Sequence, residues 1–575
     1  MLFSCLVDAD FLDTESFMDE KKSQQRGNYH SLKDLQLIFN TKMQQLIKKA
    51  PKTTVNKIRQ DILSQCRDKA KNDTGIFSLT VPTGGGKTLA SMAFALDHAI
   101  EHGKNRIIYV IPYTSIIEQT ANVFKDFFGE KNVIEHHSNV DPDSVEKEDS
   151  HSRLATENWD APIIVTTTVQ YFESLHAART SRCRKLHNIA NSIVILDETQ
   201  LLPPTLLAPI LRVIRLLSKH YNVTHILSTA TQPALKTQYD PFDRVICKGL
   251  DDATEIINNP NSLYQQLERV SLELPSDFQT TTDWQTLAKE LKQYDSVLVI
   301  VNRRSDAREL HALMPKGTYH LSALMCAQHR SHVIDKIKKE LKQGLPVKVI
   351  STQLVEAGVD MDFPVVYRAM AGLDSIAQAA GRCNREGKLK KAGKYIKGKV
   401  IVFNPPKPSI GLLGKAAQSA ISLLSNYSGN PLEPKLFTDF FEHFYSKTDP
   451  DEKGINKLLT PNEKLECQFR TAAQKFQMIE EQDTKTIFVL YDKQSADYLD
   501  QLERNGPKRW LMRKLQRYTV TLYCYQLKPL LNTGDIKEVW EGFYSQNSST
   551  LYDTKIIGLG LLTVAESPSI ESFIC

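Results

Sequence analysis

The run Phe77-Ser-Leu-Thr-Val-Pro-Thr-Gly-Gly-Gly-Lys-Thr88, followed by an apolar-periodic stretch from Leu89 to Ile100, constrains the fold of this chain more than any other feature. It reads as a buried strand, a glycine-rich turn and a helix, the context in which such a turn binds phosphate. Thr83, Gly84, Gly85 and Gly86 let backbone N–H groups approach an anion closely, and the next helix adds the positive end of its dipole. Lys87 is then placed to neutralise the β- and γ-phosphates of ATP, and Thr88 to hold Mg²⁺. Val81 stands where the general pattern has its first glycine. The architecture implied is α/β, with a parallel sheet wound on both faces.

About a hundred residues on, Ser192-Ile-Val-Ile-Leu-Asp-Glu-Thr-Gln200 reads as a buried parallel strand ending in two acids. Ligands of wound sheets sit at such carboxyl ends. Asp197 is the expected Mg²⁺ partner, and Glu198 the group that orients and deprotonates the attacking water. Tyr221 to Gln232 is another buried strand, ending in Thr229-Ala-Thr231. Two further strand ends carry hydroxyls, Thr114 and Ser115 after Ile107 to Tyr113, and Thr166, Thr167 and Thr168 after Ile163 to Val165. Such groups grip phosphates without reading bases, although each is equally readable as a helix cap.

A second α/β unit opens at Val297 to Arg304, continues through Val347 to Asp360, and carries a helix with Gln378-Ala-Ala-Gly-Arg-Cys-Asn-Arg385. It has no phosphate loop of its own, so a nucleotide is expected between unlike lobes whose closure does work. Arg382 and Arg385, three apart on one helix face, are expected to reach the γ-phosphoryl group, Gln378 to sense the nucleotide and Asp360 to approach the ribose.

These motifs, in this order over roughly residues 55 to 405, resemble those of superfamily 2 helicases; Asp197-Glu-Thr-Gln200 is similar to their Asp-Glu-x-Gln/His segment, and Thr229-Ala-Thr231 to the segment joining ATP site and strand path. The resemblance adds Gln200 to the catalytic set, and Asn302, Arg303 and Thr352 of the second lobe to the candidate DNA contacts beside the first-lobe hydroxyls. Glu157 to Pro162, Gln170 to Leu175, Ser351 to Phe363 and Cys383-Asn384 further resemble the CRISPR-associated helicase–nuclease of type I interference systems, closest to its type I-C branch. Phe469 to Phe476, Leu515 to Val520 and Tyr552 to Lys555 look like that family's accessory domain. The resemblance implies 3′ to 5′ movement on single-stranded DNA and, as partner, the RNA-guided surveillance complex that displaces that strand. Two other functions keep much of the same machinery: a superfamily 2 repair or RNA helicase, and a nucleotide-gated DNA-binding module that does not translocate.

On a helical projection Leu2, Phe3, Leu6, Val7 and Ala9 share one arc with Asp10 near its centre, while Asp8 faces away. Leu6-Val-Asp-Ala-Asp10 resembles the segment bearing the last metal ligand of an HD nuclease domain. None of the fifteen His is followed by Asp and none precedes position 30, so residues 1–22 are expected to be the last helix of an HD domain whose remainder is absent by truncation, internal start or gene splitting. Nuclease activity, with its divalent transition metal, is expected only where a complete HD domain or a separate HD chain is supplied. Residues 23–54 are expected to form a helical connector, 55–250 and 251–405 two tandem RecA-like lobes, and 406–575 a linker and C-terminal accessory domain. Arg59 and Gln60, ahead of the phosphate loop, are candidates to contact adenine. Lys388 to Lys399 reads as a basic hairpin edge or a strand-tracking element, and Lys508 to Tyr518 as basic residues interleaved with Trp510 and Tyr518, which suits either stacking on a strand or packing.

Composition narrows the setting. At 575 residues, with 41% hydrophobic and 24% charged residues, the chain has material for several packed cores. A net charge of +5 suits local basic grooves better than a uniformly basic coat. Nine scattered cysteines with no C-x-x-C pair argue against a disulfide framework or zinc module, and no apolar run approaches the ~18 residues of a membrane helix. A cytoplasmic location is expected.

Overall fold

The computed structural model describes residues 1–112, 114–136, 150–240, 242–356, 358–479 and 484–562. Its contacts divide the chain into two units, one formed by Met1–Glu268 with Asn426–Glu480, the other by Arg269–Ser425 with Glu481–Cys575. The expected accessory region 406–575 is therefore not a unit of its own. Among the described residues no helix is long and apolar enough to cross a membrane.

The first unit is built on a seven-stranded sheet in the order Val133–His136, Ile163–Thr167, Arg106–Ile111, Ser192–Asp197, Thr224–Thr229, Ile76–Thr80, Thr254–Glu255. Every pairing is parallel. The central strands are buried on both faces, which is why they read as continuous apolar runs without alternation. The chain leaves Ile76–Thr80, passes over two strand positions and re-enters at Arg106–Ile111, so the carboxyl ends of Ile76–Thr80 and Ser192–Asp197 flank the switch in winding direction where ligands collect.

Helix Leu32–Lys49 starts at Ser31, whose hydroxyl accepts from Asp34 N–H while the Asp34 carboxylate accepts from Ser31 N–H. Its residues Leu32, Leu35, Phe39 and Met43 recur at helical spacing and are buried, Phe39 packing on Phe127 and Phe128. Helix Thr54–Lys69 buries Ile58, Ile62 and Cys66 in the same core. The distant segment 426–480 joins this unit through Ala208 N–H to the Pro450 carbonyl (2.9 Å), Arg212 to the Asn456 carbonyl (3.1 Å), and His176 stacked on Phe476 at 3.7 Å.

The second unit has a six-stranded, wholly parallel sheet in the order Val270–Glu273, Gly398–Phe403, Val365–Ala369, Val297–Ile300, Lys348–Ser351, Tyr319–Leu321. A separate mixed sheet, Thr519–Tyr523, Thr484–Phe488, Phe543–Gln546, Ile536–Trp540, shares a core with Leu324 and Cys326, which lie just beyond the last strand of the six. Two α/β sheets of this kind, with a helical N-terminus, match the expected tandem lobes.

Helix Leu2–Met18 corrects the sequence projection. It buries Ser4, Val7 and Asp8, while Leu2 is 88% and Leu6 70% exposed. Polar bonds set its orientation. Asp8 pairs with Arg184 at 2.8 Å and accepts from Asn158 at 3.0 Å, and the Ser4 hydroxyl donates to the Cys183 carbonyl at 2.5 Å. A buried carboxylate and guanidinium each lose hydration, so once the pair forms, leaving either alone is costly. Asp10 lies on the exposed side.

Candidate nucleotide site

The phosphate loop takes the shape its glycines permit. Gly84 and Gly86 have φ of +84° and +88°, and a Cβ on Gly85 would lie 2.4 Å from Val81 Cγ1. Gly86 caps helix Lys87–Glu101, so the helix begins at the residue expected to meet phosphate. Val81 N–H donates to the Thr229 carbonyl at 3.0 Å, which ties the loop to the neighbouring strand end. Arg59 braces the loop, its Nε donating to the Gly84 carbonyl at 2.9 Å and its Nη1 to Asn56 Oδ1 at 3.1 Å.

Lys87 Nζ lies 3.1 Å from Glu198 Oε1, and Gln200 Nε2 donates to the other carboxylate oxygen at 2.6 Å. Gln200 in turn accepts from the Thr229 hydroxyl at 2.6 Å, and that hydroxyl accepts from Thr231 N–H at 2.9 Å. Loop lysine, acidic strand end and Thr229-Ala-Thr231 segment are thus one hydrogen-bonded chain. Glu198 sits in the left-handed region at φ +50°, a conformation that costs a non-glycine residue roughly 1–3 kcal/mol and aims the carboxylate at Lys87.

Asp197 is half-buried beside it. It accepts from Tyr109 OH at 3.0 Å, Ser228 Oγ at 3.1 Å and Glu198 N–H at 3.1 Å. Burial pushes its carboxyl above the usual range and the Glu198 charge adds to this, with Lys87 opposing. A carboxylate held against its own desolvation fits a cation partner, and with the glycine turn and Lys87 the residues present suit a nucleoside triphosphate, whose Mg²⁺ would be held by Thr88 and Asp197.

Glu255 belongs to this frame, and no sequence motif marks it. Its carboxylate accepts from Ser78 Oγ (2.7 Å), Thr80 Oγ1 (2.7 Å), Thr80 N–H (3.1 Å) and Ile257 N–H (3.1 Å), clamping the strand that feeds the phosphate loop. The short edge strand that carries it gives no periodic signal.

Two of the first-lobe hydroxyls make internal bonds. Thr166 donates to the His136 carbonyl at 2.7 Å and Thr167 caps helix Thr168–Leu175 by accepting from Gln170 N–H at 3.1 Å; Thr168 is also buried. The side chains of Thr114 and Ser115 lie outside the described residues.

In the second unit Arg382 is buried, its Nε donating to the Val355 carbonyl at 2.8 Å and its Nη2 to the Glu356 carbonyl at 2.6 Å. Arg385 is more open and pairs with Asp360 at 2.9 Å, while its backbone N–H donates to Asp362 at 2.7 Å. Gln378 is buried with Nε2 unpartnered among the described residues. Asn302 accepts from Arg368 at 2.7 Å and donates to the Met370 carbonyl at 2.8 Å, Arg303 donates to the Pro408 carbonyl, and Thr352 is buried. Arg368, inside a buried strand, forms a 2.7 Å ion pair with Glu356. Tyr518 is buried and donates to Asp492, so packing accounts for it, whereas Trp510 is 38% exposed. Among the described residues no group of three or more His, Cys, Asp or Glu side chains is placed to hold a metal ion.

Comparison with known proteins adds the following. Residues 56–238 match the DEAD/DEAH box helicase family, and residues 293–388 match the C-terminal region of the CRISPR-associated nuclease/helicase Cas3. The Haloferax volcanii CRISPR-associated nuclease/helicase Cas3 is 27% identical over 440 residues, covering 58% of this chain and 46% of that protein. The Methanothermobacter thermautotrophicus protein of the same name is 23% identical over 391 residues, covering 64% and 45%. The chain thus spans about half the length of the curated relatives it matches. In fold, T. fusca Cas3 superposes with a TM-score of 0.63 at 15% identity, over 86% of this chain and 69% of that one, and its ATP complex with 0.61 at 13% identity over the same shares. A CRISPR RNA-guided surveillance complex described as pre-nicking contains a chain matching with 0.51 at 14% identity, over 82% and 65%.

Proposed function

We propose that this chain, which belongs to the Cas3 helicase family, hydrolyses ATP to move 3′ to 5′ along single-stranded DNA displaced by an RNA-guided surveillance complex. One observation supports this above others: Lys87, Glu198, Gln200 and Thr229 form a continuous bonded chain from phosphate loop to strand-path segment. Each link changes if the first is pulled.

Bound ATP with Mg²⁺ supplies a transferable phosphoryl group whose charge the cation spreads. The chain's own residues do the rest. With nucleotide bound, Lys87 would exchange its Glu198 partner for phosphate oxygens, because a triphosphate carries more negative charge than one carboxylate. Glu198, released on that side and still held by Gln200, takes the proton of the attacking water at Oε1. Gln200 passes the change to Thr229 and so to Thr231. Arg385, whose guanidinium pairs with Asp360, is the arginine that stabilises the γ-phosphoryl charge, whereas Arg382 braces the turn beyond helix Leu373–Ala380, which ends before both arginines and does not carry them as the sequence pattern leads one to expect.

Steady-state ATPase measured with single-stranded DNA, RNA and duplex tests this reading. Turnover is expected to rise with single-stranded DNA, and a duplex with a 3′ tail to be unwound in preference to one with a 5′ tail. Glu198→Gln is expected to retain ATP binding while losing on the order of 10²-fold or more in turnover and all strand displacement. Equal stimulation by RNA overturns the DNA assignment, and strand displacement surviving in Glu198→Gln overturns the mechanism.

A further inference from the structure

Residues 388–397 form a small hairpin, Lys390–Lys391 paired antiparallel with Lys394–Tyr395, turned by Ala392 at φ +50° and Gly393 at φ +79°. The hairpin is clipped at its root. Asn384 Nδ2 donates to the carbonyls of Arg269 and Ile396, both at 3.1 Å, while its Oδ1 accepts from Leu389 N–H at 3.1 Å, so one side chain holds both arms. Gly398 ends it against that segment, where a Cβ would lie 2.4 Å from Cys383 Sγ and 2.9 Å from Asn384 Cβ. The clip is the residue immediately before Arg385.

The chemistry at the tip is concentrated. Lys388, Lys390, Lys391, Lys394, Lys397 and Lys399 fall within twelve residues that include no acid, in a chain whose 72 basic and 67 acidic residues otherwise nearly cancel. Lys388, Lys390, Lys394 and Lys397 are exposed. Tyr395 is 70% exposed, with Lys390 Nζ 4.5 Å from its ring centroid on one face. One lysine suffices to keep a hairpin edge from pairing with another chain; that role explains neither the density of charge nor an exposed aromatic ring beside it. Cations flanking an exposed aromatic ring are the pattern that grips a single strand, phosphates on the lysines and a base on the ring.

We propose that the hairpin 388–397 is a binding element for single-stranded nucleic acid, with Lys390, Lys394 and Lys397 on the phosphates and Tyr395 stacking a base. This deepens the reading of the chain as a strand-driven ATPase and rests on it. The test is binding of a fluorescent oligothymidylate to the full chain across a salt series. With Lys390→Ser, Lys394→Ser and Lys397→Ser together, affinity is expected to fall at least tenfold at low salt, and the slope of log affinity against log salt to flatten by about 2. Replacing the same three lysines by Arg is expected to preserve both. Tyr395→Ser is expected to lose roughly tenfold at unchanged slope, since it removes stacking and no charge. Unchanged affinity and slope in the serine variant overturn the proposal, as does equal loss in the arginine variant. Binding of a fluorescent ATP analogue is read in parallel: a native chain that neither takes it up nor hydrolyses ATP fails the underlying function, a result distinct from a hairpin that makes no contact.

Discussion

Arg382 and Arg385 separate two roles that their spacing makes look alike. Removing the Arg382 guanidinium leaves the buried carbonyls of Val355 and Glu356 without donors, so Arg382→Ala is expected to destabilise the second unit by roughly 3 kcal/mol, seen as a lowered thermal transition. Arg385→Ala breaks only a half-exposed pair and is expected to change stability by less than about 1 kcal/mol while costing on the order of 10³-fold in ATP turnover. Equal effects of both variants on turnover at equal stability would contradict this division. Lys87, Asp197 and Glu198 are legible in the chain because strand, turn and helix fix their spacing, whereas Gln200 follows from the family resemblance alone. The commitments of Asn302, Thr166 and Thr167 were not, since a hydroxyl or amide at a strand end looks the same whether it faces a strand of DNA or its own backbone. Arg368 did offer a signal: a cation within the apolar run Val365–Ala369 requires a buried anion, and Glu356 is that anion.

At the scale of an element, helix Leu2–Met18 shows how ion pairs overrule an apolar arc. Asp8→Ala leaves the Arg184 guanidinium with Glu157 as its remaining ion-pair partner and is expected to weaken docking of this helix by about 2 kcal/mol, read as faster proteolysis between Lys21 and Arg26. Glu15 gives the same helix a pH dependence. Its hydrogen bond from Arg26, with Lys22 assisting, lowers its carboxyl from 4.5 to about 2. A depressed acid stabilises only when ionised, so this contribution is complete above pH 4.5 and is lost as pH falls from there toward 2. Amide exchange across residues 2–18 is expected to accelerate over that window, and Glu15→Gln to remove the pH dependence. Hydrophobic periodicity predicted the helix correctly but not its orientation, because a projection weighs carbon and cannot see Arg184, Asn158 and Cys183 arriving from more than a hundred residues away.

Across the whole molecule, the parallel sheets were readable from buried strands alternating with helices, while the path of the chain was not. Residues 426–480 contain no motif that announces membership of the first unit, and contacts such as those of Pro450, Asn456 and Phe476 reveal it. A polypeptide ending at residue 268 is therefore expected to be poorly soluble alone and to be rescued by co-expression with 426–480, measured as soluble yield and a cooperative thermal transition. Good solubility without that segment would show that it is dispensable.

The discontinuity also sets an order of events at birth. Because the first unit is finished by a stretch lying beyond Ser425, a ribosome has synthesised the six-stranded sheet of the other unit before the earlier one receives its last piece. Vectorial maturation is thereby interleaved: nascent Glu198 and Lys87 wait on an unfinished scaffold until residue 480 has emerged, and the other half takes up its own second stretch only after that.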